Sequence, residues 1–243
     1  MLSMRVALVV LISGLLAGCG DVRDLPDPAI DCRTGLYVSE GGEALVLTPT
    51  SAGYRWRMLD GSSGALSAEG GASTLGWTGE PAGYVVELVA CGDDVIRFGG
   101  RDGFGRMERA PLRVSGTTFE HDGLVFSGQL VWPADAERAP LVVHLHGSER
   151  WSAMRANSMQ YLLAAQGIAS FVFDKRGTGQ SGGRYTQDFH VLAGDARAAL
   201  AEARRLAGDA VETVGFLGGS QGGWIGPLAA SGADVDFVVA LYG

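Results

Sequence analysis

From Leu112 onward, short apolar runs alternate with amphipathic helical stretches, and this alternation restricts the fold more than any other feature of the chain. Leu141–Leu145 (LVVHL) is a continuous apolar run, as in a strand covered on both faces. A helix is expected next, with Met159, Leu162 and Leu163 on one face and Gly167 as its stop. Ile168–Phe173 is the second strand. A second helix is expected to open near Thr186, with Phe189, Leu192, Ala196, Leu200 and Ala203 as its apolar stripe and Gly208 at its end. Thr213–Leu217 and Phe237–Leu241 are the third and fourth strands. Strand and helix in turn predict a doubly wound, mostly parallel α/β sheet. A β-hairpin over Leu112–Pro133, turning at Asp122-Gly123, leads into it.

The region before Leu112 reads differently. Between Cys32 and Pro111, short β-type runs are separated by Gly, Ser and Asp, and no long helical run occurs. This predicts a small all-β module over 32–111, cored by Trp56, Trp77, Tyr84 and Val86, as a scaffold or lid. Residues 1–18 read as a signal peptide, with Arg5 ahead of an apolar run too short to span a bilayer, which takes roughly 20 residues. The run ends in Leu16-Ala17-Gly18-Cys19, which resembles a bacterial lipobox and implies acylation of Cys19. Residues 19–31 would then be a tether, and the protein a lipid-anchored component of the cell envelope. Export favours a Cys32–Cys91 disulfide; closing a loop of about 60 residues would stabilise by on the order of 4 kcal/mol. No metal-ligating cluster stands out and no cofactor is expected. The net charge of −8 argues against nucleic acid as a partner, because that needs clustered Lys and Arg.

Two stretches match G-x-S-x-G, one around Ser181 and one around Ser220. A nucleophile elbow needs a strand ending at the motif and a helix starting directly after it. Ser220 has both. Ser181 lies several residues beyond its strand and reads as loop. Gly218, Gly222, Gly223 and Gly226 keep space open around the turn, while Pro227 predicts a kink or early break in the helix that follows. The helix N-terminus directs partial positive charge at the serine. The backbone N–H groups of Gln221 and Ser148 are the expected oxyanion donors. His144 reads as a core or sheet-face residue, and His146 as a ring bonded to loop backbone. In Phe173–Gly183 (FDKRGTGQSGG), Asp174 and Arg176 are expected to pair and fix the glycine loop; a phosphate-cradling loop lacks its lysine.

The segments HDGLVFSGQLVWP, HLHGS, FDKRGTGQSGG and GGSQGGWIGPLAAS, in this order, resemble the serine α/β-hydrolase family, in its exported esterase and prolyl-oligopeptidase-like branch. The resemblance spans Leu112–Gly243 and implies Ser220 as acyl acceptor, Gln221 and Ser148 as oxyanion donors, and ester, thioester or peptide substrates. The family places its acid and histidine after the serine, whereas His121, His144, His146 and His190 all precede Ser220. Asp234 and Asp236 fall at the wrong end of the last strand to act as the acid. The expectation is therefore a fragment with little acyl-transfer activity, cut from an active carboxylesterase that takes a small-molecule ester. His146 or His190 as a substitute base is the other explanation. A non-catalytic envelope lipoprotein, whose β module binds a partner, is the alternative from outside enzymology.

Overall fold

The structure is a computed structural model that describes residues 33–51, 53–67, 72–73, 85–88, 94–100 and 103–243. The expectations for the leader, tether, Cys19, Cys32, Cys91, Trp77, Tyr84 and the side chain of Val86 lie outside the described residues. Among the described residues, no helix is long and apolar enough to cross a membrane. The chain forms two compact units. One holds Leu112–Met154 and Gly167–Gly243; the other holds the described residues up to Pro111 together with Arg155–Gln166.

The first unit along the chain is an antiparallel sheet of β1 (Gly35–Ser39), β2 (Ala44–Thr50), β3 (Gly53–Met58), β4 (Ser63–Ser67), β5 (Ala72–Ser73), β6 (Val85–Leu88), β7 (Val95–Gly100) and β8 (Gly103–Arg109). Its order is β5-β4-β3-β2-β1-β8-β7-β6, so nearly every neighbour in space is a neighbour in sequence. That is the economical solution for short strands joined by tight turns. Trp56 is fully buried at its centre, as expected, and meets Phe98 edge-on at 5.7 Å. Gly64 is required there, because a Cβ would overlap the Trp56 indole.

The second unit is built on β9 (Leu112–His121), β10 (Leu124–Pro133), β11 (Ala139–Leu145), β12 (Ala169–Phe173), β13 (Val211–Gly219) and β14 (Phe237–Leu241). The sheet order is β14-β13-β11-β12-β10-β9. β9 and β10 form the predicted hairpin, in which Asp122 and Gly123 both take positive φ (53° and 70°). β11, β12, β13 and β14 run parallel. The inner strands are apolar on both faces because the sheet is doubly covered: β12 is buried at all five positions. Phe126, Phe171, Phe173 and Phe216 are fully or almost fully buried, each worth about 1.5–3 kcal/mol relative to exposure.

Two short helices, α1 (Ala153–Ala156) and α2 (Met159–Ala164), lie between β11 and β12. α3 (Phe189–Ala207) is capped by Asp188, whose carboxylate accepts from the His190 and Val191 amides, and it stops at Gly208, at φ 56°. Its stripe of Leu192, Ala196, Leu200 and Ala203 is buried as the sequence predicts. Phe189 is corrected: it stands in the first turn and is exposed. α4 (Gln221–Ala230) follows β13 directly. The expected early break at Pro227 does not occur. Pro227 faces solvent, while Ile225, Gly226 and Ala229 pack on the sheet side, and this packing carries the helix through the lost backbone bond.

Candidate active site

Because β11, β12 and β13 are parallel, their C-terminal ends lie along one edge of the sheet, where open α/β sheets bind their ligands. Three loops leave that edge: His146–Trp151 after β11, Asp174–Gly183 after β12, and Ser220 after β13.

Ser220 is exposed and occupies one residue between strand and helix, with φ 52° and ψ −122°. A non-glycine residue there carries strain of about 1–3 kcal/mol, which the surroundings must hold in place. They do so at both ends: the Ser220 amide donates to the Leu241 carbonyl at 2.8 Å, and the Ser220 carbonyl accepts from Gly223 N at 2.8 Å. The expected glycines have steric reasons. A Cβ on Gly218 would overlap the Gly222 carbonyl, and one on Gly222 would overlap the Leu145 carbonyl of β11. At Gly226 a Cβ would press on Val238 Cγ1 at 3.3 Å. The sequence reading missed Gly215, which gives the same clearance to Phe237.

Gln221 is the first residue of α4, so its amide is one of the helix's four N-terminal donors without a partner inside the helix. Ser148 is exposed, three residues beyond the end of β11. Its carbonyl accepts from the Tyr185 hydroxyl at 2.7 Å, and the Arg150 guanidinium lies over the Tyr185 ring at 4.2 Å.

The loop after β12 is organised around a buried carboxylate. Asp174 accepts from Ser152 Oγ at 3.1 Å, Gln180 N at 3.0 Å and Met154 N at 3.4 Å. Burial pushes its pKa up against those donors. The expected Asp174–Arg176 pair is corrected. Arg176 points instead to α3 and holds Asp195 through two bonds of 2.6 and 2.7 Å. Its partner sits nineteen residues along the chain, so only the tertiary packing selects it. Ser181 is loop structure, as expected: its hydroxyl donates to Asp174 O at 2.6 Å and accepts from Ser127 N at 2.9 Å.

The sequence reading also missed Lys175. It is 4% exposed, and its ammonium donates to the Gly147 carbonyl and to Gln221 Oε1, the latter at 2.7 Å. A lysine two residues past the end of a parallel strand, at the edge where the loops converge, is the available signal. Burial lowers its pKa to about 8, with Glu149 opposing.

The histidines serve other ends. His144 is buried with Nε2 at 3.2 Å from Ser170 Oγ, and burial lowers its pKa to about 3. His146 does not bond loop backbone as expected: both its ring nitrogens are buried without a hydrogen-bond partner. Its ring stacks on Trp151 at 5.7 Å, an apolar contact that takes the place of the bond, and burial lowers its pKa to about 4. Its Nδ1 stands 3.6 Å from Glu149 Oε2, and this polar contact, against burial, lowers the Glu149 pKa. His121 faces Asp195 at 3.9 Å, and His190 is exposed in the first turn of α3. Among the described residues, none of these four rings hydrogen-bonds the Ser220 hydroxyl. Among the described residues, no group of three or more His, Cys, Asp or Glu side chains could hold a metal ion.

Residues 136–238 match the family described as serine aminopeptidase, S33. A search of curated proteins finds no match. Among solved structures, the chain is similar to Est1E from Butyrivibrio proteoclasticus with bound ferulic acid, at 27% identity and a TM-score of 0.42, over 47% of each chain. It is also similar to the Pyrococcus furiosus esterase Pf2001, at 21% identity and a TM-score of 0.44, over 55% of this chain and 49% of that one. The chain thus spans about half the length of these structures.

Proposed function

We propose that the protein is a serine hydrolase of carboxylic esters, with Ser220 as its acyl acceptor; the match of residues 136–238 to the serine aminopeptidase, S33 family supports this reading. A general base, which the serine α/β-hydrolase resemblance implies is a histidine, takes the Ser220 proton as Oγ attacks the acyl carbonyl and the carbonyl electron pair moves onto oxygen. The resulting oxyanion is received by the Gln221 and Ser148 amides. Collapse expels the alcohol, which takes the proton back from that base, and the same base then activates the water that hydrolyses the acyl-serine and returns the proton to Ser220. The observation that carries the reading is the backbone of Ser220: an exposed serine held at φ 52° between a parallel strand and a helix N-terminus. A plain strand–helix turn has no need of that strain.

Anchoring in the envelope through Cys19 remains part of the reading and is supported by the leader sequence alone. The family description favours a second reading, hydrolysis of peptides from their amino end.

The test is labelling of the protein with a fluorophosphonate probe, followed by peptide mapping. Modification at Ser220, absent in S220A, is expected. Labelling elsewhere, or none, overturns the proposal and leaves a binding lipoprotein. Comparing p-nitrophenyl acetate with aminoacyl p-nitroanilides separates esterase from aminopeptidase.

A further inference from the structure

We propose that Lys175 is the positioning residue that fixes both oxyanion amides of the Ser220 site, an inference that rests on the reading of Ser220 as acyl acceptor. Its ammonium reaches the two elements that carry those amides. One bond goes to the Gly147 carbonyl and the other to Gln221 Oε1, at 2.7 Å. The peptide between Gly147 and Ser148 is planar and trans, so its C=O and N–H point in opposite directions. Holding the Gly147 oxygen therefore sets where the Ser148 N–H points. The next peptide is held as well, since the Ser148 carbonyl accepts from the Tyr185 hydroxyl at 2.7 Å. Ser148 is exposed in a loop, yet the carbonyls on both sides of it are anchored. Gln221 is fixed twice, by its place as the first residue of α4 and by its buried side chain turned to the ammonium.

Such pre-organisation is what separates an oxyanion site from two loosely placed amides, because no reorganisation is then needed as charge develops. The ammonium adds polarisation. A cation on the Gly147 oxygen draws electron density through the peptide and makes the Ser148 N–H a stronger donor. A buried ammonium is costly unless bonded, and two neutral acceptors with one carboxylate nearby supply the compensation. The charged and titratable groups that face it are Glu149, which favours its charge, and His146, held neutral by burial. The Tyr185 ring lies 5.9 Å from Nζ. With burial lowering its pKa to about 8, the charge on Lys175 changes within an accessible range.

Two measurements on the protein test this, with K175M and S220A as variants. In 15N NMR, the Ser148 and Gln221 amide resonances should shift together with a midpoint near pH 8, and K175M should abolish the shared titration. For p-nitrophenyl acetate, K175M should lower kcat about 10- to 100-fold with KM nearly unchanged, and its kcat should lose the alkaline decline near pH 8. Amides that do not titrate, or a K175M enzyme with parental kcat, overturn the role of Lys175. If K175M does not fold, the titration in the parent decides alone. Hydrolysis that survives S220A overturns the Ser220 reading instead, and the NMR measurement still reports the hold of Lys175 on the two amides.

Discussion

Gly222 lies so close to Leu145 that a single added methyl carbon would overlap the Leu145 carbonyl oxygen. The contact is backbone against backbone, between the first turn of α4 and the end of β11, so no side chain can swing aside to relieve it. G222A should therefore cost about 3 kcal/mol or more, at the upper end of overpacking effects. G219A is the control, because a Cβ there meets nothing within 4 Å and the residue does not have positive φ. Urea midpoints of the two variants should differ clearly, and equal midpoints would refute the steric account.

Ser220 itself predicts a trade of activity for stability. Its φ of 52° suits glycine better than any residue with a Cβ. S220G should raise unfolding stability by about 1 kcal/mol while abolishing fluorophosphonate labelling. A stability unchanged or lowered by S220G would mean that the turn is not strained.

These two features were legible from sequence because they are local. A strand, a glycine-flanked serine and a helix are contiguous in the chain, and the hairpin at Asp122-Gly123 is written in two residues. The alternation after Leu112 likewise fixed the parallel strands and the buried stripe of α3. What failed needed partners distant in sequence. In sequence the nearest carboxylate to Arg176 is Asp174, although its partner is Asp195 on α3. Pro227 by itself predicts a kink or early break in a helix that sheet packing sustains, and Phe189 continues an apolar stripe past the point where the core ends. Lys175 looks like one more loop charge until β11, β12 and β13 bring Gly147 and Gln221 beside it.

The Arg176–Asp195 pair should be costly to break on one side. Asp195 is 1% exposed and relies on the two guanidinium bonds, with His121 farther off at 3.9 Å. R176A strands a buried carboxylate and should destabilise by about 3–5 kcal/mol. The R176A/D195A double variant should recover part of that loss, since no orphaned charge remains. Additive losses in the double-mutant cycle would show that the pair is not coupled.

The two buried histidines set a stability slope at mildly acidic pH. Their pKa values are lowered from 6.5 to about 3 for His144 and about 4 for His146, because burial disfavours the charged ring. Below pH 6.5 the unfolded chain therefore takes up protons that the folded chain refuses, and stability must fall as pH falls. The loss starts near 6.5 and continues until the folded values are reached. Glu149, with its pKa lowered, adds a loss in the same direction only below 4.5, whereas Asp174, with its pKa raised, opposes it. Comparison with H146F isolates the histidine part, since phenylalanine can keep the stack on Trp151 and cannot be protonated. The parent's urea midpoint should drop between pH 6.5 and 5, and H146F should show a shallower drop over that window. Identical slopes would mean that His146 is protonated in the folded protein, contrary to a ring sealed from water with neither nitrogen bonded.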